Sequence, residues 1–130
     1  IGPSHQMVAE GWYGASYEGV IHHVRDYVGV LLASFAAQAQ ANAGARGPGG
    51  VGAPVRYAGA RYRVESLLDV PEATPVPIYL AALAPLMLRL AGERADGTIT
   101  WMGDERTHAE HVVPRLEVGA RAAGRACRFP

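Results

Sequence analysis

Residues 77–85, Pro77-Ile78-Tyr79-Leu80-Ala81-Ala82-Leu83-Ala84-Pro85, decide the fold. A near-continuous apolar run opened by proline predicts a strand buried on both faces, the habit of parallel sheets. Pro85 suits the first position of a helix, where a missing amide costs nothing. Leu86, Met87, Leu90, Ala91 and Ala95 then supply that helix with a buried stripe, and Asp96-Gly97 ends it. Thr98-Ile99-Thr100-Trp101-Met102 reads as the next strand. Helical spacing returns from Arg106 to Val113, and Pro114 opens a further segment to Ala123, capped by Gly124. Arg128-Phe129-Pro130 reads as the opening of another strand. Alternating strands and helices with short loops predict an α/β fold with a parallel sheet.

Upstream of this run the pattern changes. Val55, Tyr57, Tyr62 and Val64 alternate around Gly59 and predict a short hairpin, followed by an irregular stretch from Leu67 to Pro75. Before it, Ala41 to Pro54 holds five glycines and two prolines and reads as a mobile loop or linker. It is not a boundary between self-sufficient halves, because the residues ahead of it are too few to build a core alone. Val20, Val24, Tyr27, Val28, Leu31, Leu32 and Phe35 form one helical stripe, predicting a helix from about Glu18 to Gln40 with Arg25 on its polar face and Asp26 on its flank. Residues 3–17 have loop chemistry and predict no regular element.

Composition narrows the function. The 130 residues weigh 13.8 kDa, enough for one compact domain. A closed (β/α)₈ barrel needs about 200 residues or more. Twelve basic residues balance twelve acidic ones, so no global charge draws the chain to nucleic acid or to anionic lipid. All the basic residues are arginine, which excludes Schiff-base and P-loop chemistry by lysine. A single cysteine, Cys127, excludes an internal disulfide and a multi-cysteine zinc site. No apolar run approaches the roughly 20 residues of a membrane span, and a cytoplasmic location is expected. Ile1-Gly2-Pro3 reads as a strand tail entering a loop, so the expectation is a piece of something longer.

In parallel α/β folds the functional loops follow the carboxyl ends of strands, which selects Gly2–Gln6, Leu83–Leu86 and Met102–Arg106. The first offers Ser4 and His5, a hydroxyl and an imidazole beside a glycine. Ala82-Leu83-Ala84-Pro85 is a turn of small residues at a helix start, open to an anion or merely tight. Trp12, Tyr13 and Tyr17 read either as an aromatic pocket or as core plugs. His108 and His111 are three apart but have no third ligand, so they read as solvated helix surface and no metal site is expected. His22 and His23 are adjacent and share no helix face; Glu93 and Asp96 have Arg94 as a nearby partner. Neither G-x-S-x-G nor G-x-G-x-x-G is present.

Three stretches together resemble the bacterial luciferase-like oxidoreductases, most closely the branch that uses the deazaflavin coenzyme F420. They are Ile1-Gly2-Pro3-Ser4-His5-Gln6, the run Pro77 to Pro85, and Leu90-Ala91-Gly92-Glu93-Arg94-Ala95-Asp96-Gly97 leading into Thr98-Ile99-Thr100-Trp101. The hairpin Val55-Arg56-Tyr57-Ala58-Gly59 with Tyr62 is similar to the ribbon that precedes this strand in the family. The resemblance implies a partial (β/α)₈ TIM barrel: its central βα units, from the end of the fourth strand to the start of the seventh, with a short β-hairpin insertion. It also implies cofactor contacts from Gly2, Ser4 and His5 in one loop and from Ala81, Ala82, Leu83 and Ala84 in the next, mostly through backbone groups. His5 is the implied catalytic residue, a ring-side contact or proton donor. The cofactor implied is F420, with FMN as the alternative, acting on a small organic substrate by hydride transfer or monooxygenation. A homodimer is open for the full-length protein, with no nucleic-acid or membrane partner, and the isolated chain is expected to be inactive. The chain departs from the family at Ala84-Pro85-Leu86-Met87, where relatives often read G-P-R-M, and it lacks an R-P pair after Glu18. Two other readings stay open: a truncated, non-catalytic module that binds a nucleotide-like ligand or nothing, and a self-standing α/β module that dimerises to cover its strands.

Overall fold

In the computed structural model, which describes residues 1–126, regular structure begins with α1 (Gln6–Gly11), α2 (Val20–Asn42) and the hairpin strands β1 (Ala53–Ala58) and β2 (Arg63–Leu68). It continues with β3 (Tyr79–Ala81), α3 (Pro85–Arg94), β4 (Gly97–Ile99), α4 (Glu105–Thr107), a π-helical segment (His108–Val112) and α5 (Val113–Ala122). The chain divides into two compact units: Ile1–Ile21 with Pro77 onward, and His22–Val76. The reading of Arg128 to Pro130 as a strand opening, and Cys127 itself, lie outside the described residues. None of the described helices is long and apolar enough to cross a membrane.

In the first unit, β3 and β4 pair in parallel, with Leu80 opposite Thr98 and Ala81 opposite Ile99. Ile1 pairs on the other side of β3. Its amino group donates to the Tyr79 carbonyl at 2.8 Å, and its carbonyl accepts from the Ala81 amide at 2.7 Å, the offset of a parallel bridge across Leu80. Three chain segments therefore leave the sheet with their carboxyl ends on one side. The Thr98 hydroxyl adds a 2.7 Å bond to the Leu80 carbonyl.

Two expectations need correction here. β3 is not buried on both faces: Ile78, Leu80 and Ala82 are buried while Tyr79, Ala81 and Leu83 are exposed. Helices of this unit cover only one face of so small a sheet, so side chains of the other parity stay open. Met87, Leu90, Ala91 and Ala95 of the stripe read for α3 are buried, but its first member differs. Leu86 is 62% exposed whereas Leu88, unremarked in the sequence, is fully buried, so Leu88, Ala91 and Ala95 carry the i, i+3, i+7 contact.

Pro85 occupies the first turn of α3 as its chemistry predicts, with Ala84 as the preceding cap residue. Asp96 then ties the helix exit to the strand entrance: its carboxylate accepts from the Ile78 amide at 2.8 Å, and its own amide donates to the Ile78 carbonyl at 2.8 Å. Its remaining partner is Arg125 at 3.8 Å rather than Arg94, which pairs with Glu93 at 3.2 Å. Helices α3 and α5 touch backbone to backbone. A Cβ at Gly92 would lie 2.0 Å from the Leu116 carbonyl oxygen, and one at Gly119 2.0 Å from that of Arg89. Glycine is required at both positions by this approach, not by backbone angle. Gly124 does cap α5, in the left-handed region at φ 66°.

The second unit packs α2 against the hairpin. Ala37 and Ala41 of the helix meet Ala53 and Val55 of β1, flanked by Ala33, Val64 and Leu68. Small residues on both surfaces let the helix lie close to the ribbon. The strands pair antiparallel with Tyr57 opposite Val64, as the alternation predicts, but β2 continues through Leu68 into the stretch expected to be irregular. The helix takes Ala41 and Asn42 and β1 takes Ala53 and Pro54, so the glycine-rich stretch is a connection inside one unit.

Asp26, expected on the flank of α2, is instead 4% exposed. Its carboxylate accepts from the Arg61 amide at 2.5 Å, the Tyr57 hydroxyl at 2.9 Å and the Tyr62 amide at 3.2 Å, tying the hairpin loop to the helix. The Arg61 amide first, then the Tyr57 hydroxyl and the Tyr62 amide, hold the Asp26 carboxyl below the usual carboxylate range against the opposing effect of burial. A depressed pKa in the folded state means that the ionised form stabilises the fold. That contribution is present above the unfolded carboxylate pKa, about 4, and fades as pH falls through the lower folded value. Asp26→Asn is therefore expected to lower the melting temperature at pH 7 and to lessen its fall between about pH 5 and pH 3. Thermal unfolding of both proteins across that range checks it; parallel curves would contradict the assignment.

Candidate functional site

The segments that follow the carboxyl ends of Ile1, β3 and β4 line one cleft of about 320 Å³ within the first unit. Ser4 and His5 come from the first, Ala82, Leu83 and Ala84 from the second and Trp101 from the third. Ala81 and Ile99, paired in register on the open parity of the sheet, supply its floor together with Met87 from the first turn of α3. Pro3 and Tyr17 complete the wall. The surface is mostly apolar, and neither an arginine nor an acidic side chain is among the lining residues.

The first loop is built by local strain and a small buttress. Ser4 sits in the left-handed region at φ 64°, which costs a non-glycine residue about 1–2 kcal/mol and marks a conformation imposed by its surroundings. The Tyr17 hydroxyl donates to the Ser4 carbonyl at 3.0 Å. The Tyr17 amide in turn donates to Glu10 at 3.2 Å, and Gln6 donates to the other Glu10 oxygen at 2.9 Å. Gln6 and Glu10 lie one turn apart on α1, a helix that residues 3–17 were not expected to contain. Six residues without a capping side chain or a buried face give almost no sequence signal, which explains the difference.

His5 precedes α1 with extended backbone, and its exposed ring does not cap the helix. Beneath the loop, a Cβ on Gly2 would lie 2.7 Å from the Cβ of Ala81, so glycine at one position and a minimal side chain at the other let the two segments touch. The structure thus brings Ser4, His5, Ala81, Ala82, Leu83 and Ala84 to one cleft and places Gly2 below it. Of the three aromatics expected as pocket or plug, only Tyr17 lines the cleft; Trp12 and Tyr13 are 73% and 74% exposed.

The third loop differs most from expectation. β4 ends at Ile99, the backbone turns at Met102 with φ 57°, and Trp101 rather than Met102 to Arg106 reaches the cleft. Asp104 caps α4 by accepting the Thr107 amide at 2.7 Å. Bonds from the Thr107 side chain and amide lower its pKa below the ordinary value. His108 and His111 are not simply solvated surface: His108 Nε2 lies 2.7 Å from Thr100 Oγ1, and His111 Nε2 lies 2.7 Å from the Leu83 carbonyl. They lie in a π-helical segment that ends just before Val113-Pro114. No group of three or more metal-ligating side chains occurs among the described residues.

Met87, Ile99 and Trp101 are the lining residues that sequence reasoning missed. Strand parity carried the signal for Ile99, which is the register partner of Ala81. Reading the strand as buried on both faces erased that signal.

A parallel α/β unit with a ligand-sized cleft at the carboxyl ends of its strands defines the class of protein. The family model for luciferase-like monooxygenases matches residues 1–129, and the chain belongs to that family. It is 42% identical over 77 residues to an F420-dependent glucose-6-phosphate dehydrogenase of Microbacterium testaceum, covering 57% of this chain and 23% of that protein. It is 37% identical over 78 residues to the 5,10-methylenetetrahydromethanopterin reductase of Methanopyrus kandleri, covering 57% of this chain and 22% of the relative. Its backbone matches the solved coenzyme F420-dependent tetrahydromethanopterin reductase of Methanopyrus kandleri with a TM-score of 0.68 at 22% identity, over 96% of this chain and 36% of that one. The last comparison establishes an α/β fold shared with about a third of that enzyme. The chain spans less than a quarter of the length of these curated relatives.

Proposed function

We propose that this chain supplies one side of the cofactor site in an F420-dependent oxidoreductase built as a (β/α)₈ barrel and acting on a small organic substrate. The observation that carries the reading is the convergence of three strand-end loops on one apolar cleft, with Gly2 pressed against Ala81 beneath it. The names of the relatives favour F420 over FMN. When bound, the deazaflavin supplies hydride chemistry at its ring.

The residues fit that ring better than they fit the rest of the cofactor. The cleft is at the small end of ligand sites, roughly 300–1,000 Å³, and its Met87, Ile99 and Trp101 surface suits a planar apolar group. Ala81, Ala82 and Ala84 let a ring approach the backbone closely, and His5 and Ser4 supply polar contacts at one side. The phosphate-bearing tail finds no cation here. Leu86, where relatives often carry arginine, is exposed and outside the lining, and Pro85 brings no amide to the start of α3. Holding the tail therefore falls to other backbone groups or to βα units beyond this chain. The missing cation is also what favours the second reading, a non-catalytic module that binds a planar ligand weakly or none.

Titrating F420 and FMN separately into the chain, with backbone amide shifts as the readout, tests the proposal. The expected result is a common saturating shift at Gly2, Ser4, His5 and residues 81–84, at lower concentration for F420 than for FMN, with the hairpin unmoved. His5→Ala is expected to weaken that binding about fivefold, the worth of one polar contact. No saturation with either cofactor would overturn the reading; equal response to both would leave the non-catalytic module as the better account.

A further inference from the structure

Two histidines outside the cleft reach two of the three strand-end loops that line it. We infer that His108 and His111 are positioning residues, a two-pronged clamp that fixes the loops after β3 and β4 in the geometry the cleft requires. The inference rests on the functional reading above for its purpose but not for its geometry. His111 Nε2 lies 2.7 Å from the Leu83 carbonyl, an acceptor with no hydrogen, so that nitrogen carries the proton and donates. His108 Nε2 lies 2.7 Å from Thr100 Oγ1, the residue just before Trp101. Leu83 and Trp101 both line the cleft, so each prong ends within one residue of its surface.

The platform behind the clamp is fixed from both ends. Asp104 caps α4 through the Thr107 amide, and Val112 is buried. The Arg115 guanidinium donates to the His111 carbonyl at 2.8 Å, satisfying a group of the π segment just before Pro114. Widening the turn by one residue changes where successive side chains project, and such insertions recur at functional sites. Here both rings reach back to the loops at the strand ends, His111 across 28 residues of sequence and His108 across eight. The loop after β4 also turns closely over its prong: a Cβ at Gly103 would lie 3.2 Å from His108 Nε2. On the β3 side the Ala82 amide donates to the Ile99 carbonyl at 3.1 Å, so displacing Leu83 strains the joint between the two strands.

The test combines ligand-free and ligand-bound readouts. In a Trp12→Phe background, where Trp101 is the only tryptophan, His108→Ala is expected to lower Trp101 fluorescence anisotropy, and Thr100→Val to do the same without touching the histidine. His111→Ala is expected to speed hydrogen exchange at the Ala82 amide about tenfold, while His111→Gln, whose amide still donates, retains wild-type exchange. Each alanine variant should also raise the dissociation constant for F420 about fivefold, and His111→Gln should restore it. Unchanged anisotropy and exchange in the alanine and valine variants, or a glutamine variant as defective as the alanine one, would overturn the clamp. Normal loop responses in a chain that binds no F420 would retain the clamp and refute the functional reading, which keeps the two failures apart.

Discussion

Gly119→Val is expected to destabilise the first unit by about 3 kcal/mol or more, lowering its melting temperature by roughly 10 °C or more. The reason is geometric. A Cβ at this position would lie 2.0 Å from the Arg89 carbonyl oxygen and 3.0 Å from the Glu93 amide nitrogen. Both are backbone atoms of α3, so no rotamer change relieves the contact and the helices must separate. Separation exposes Leu88, Leu90, Leu116 and Ala120, all at most 3% exposed, and removes the support that α3 gives to the floor of the cleft through Met87. Gly11→Ala is the control, since a Cβ there meets nothing within 4 Å. Its effect should stay within about 0.5 kcal/mol, as for a surface change away from any special feature. Equal melting temperatures for the two variants would show that α3 and α5 do not approach as described.

The second large effect is expected at Gly2. Alanine there places two methyl groups 2.7 Å apart, well inside van der Waals contact, where the first loop crosses β3. Either Ile1 gives up its bonds to Tyr79 and Ala81, or the loop carrying Ser4 and His5 lifts away from Ala81. Both outcomes widen the cleft, and Gly2→Ala should weaken F420 binding about tenfold or more, since misplacement by 1 Å is costly in a preorganised site. The double change Gly2→Ala with Ala81→Gly removes the clash by taking away the second methyl, and binding should recover in large part. Failure of the second change to rescue the first would mean that Gly2 acts through something other than its contact with Ala81.

The fold was legible where local chemistry and packing agree. Of the stripe read for α2, Val24 and Val28 are buried while Tyr27 and Leu32 are exposed; Gly59 does sit in the hairpin loop, and Pro85 does open α3. Legibility failed where tertiary context overrode pattern. Asp26 looks like a surface residue until Tyr57, Arg61 and Tyr62, more than 30 residues away, supply its hydrogen bonds. Gly119 looks like an ordinary helix glycine until α3 lies across it. Of the cleft and the loops around it, position after a strand end was enough to mark Gly2, Ser4, His5, Ala82, Leu83 and Ala84, and the family resemblance added Ala81. Met87, Ile99 and Trp101 went unseen because an apolar residue in a strand or a helix start reads as core unless the parity of the open face is known. The roles of His108 and His111 depend on contacts with Thr100 and Leu83 that no spacing rule encodes.

If the three strand-end loops form a cofactor-ring site, Trp101 reports on it directly. Trp101 lines the cleft and is 78% exposed, whereas Trp12 lies outside the lining. In the Trp12→Phe chain, adding F420 should quench Trp101 emission along a saturating curve, and Gly2→Ala in the same background should shift that curve to about tenfold higher concentration. Quenching that rises linearly without saturation, or a curve indifferent to Gly2→Ala, would mean that these loops form no such site.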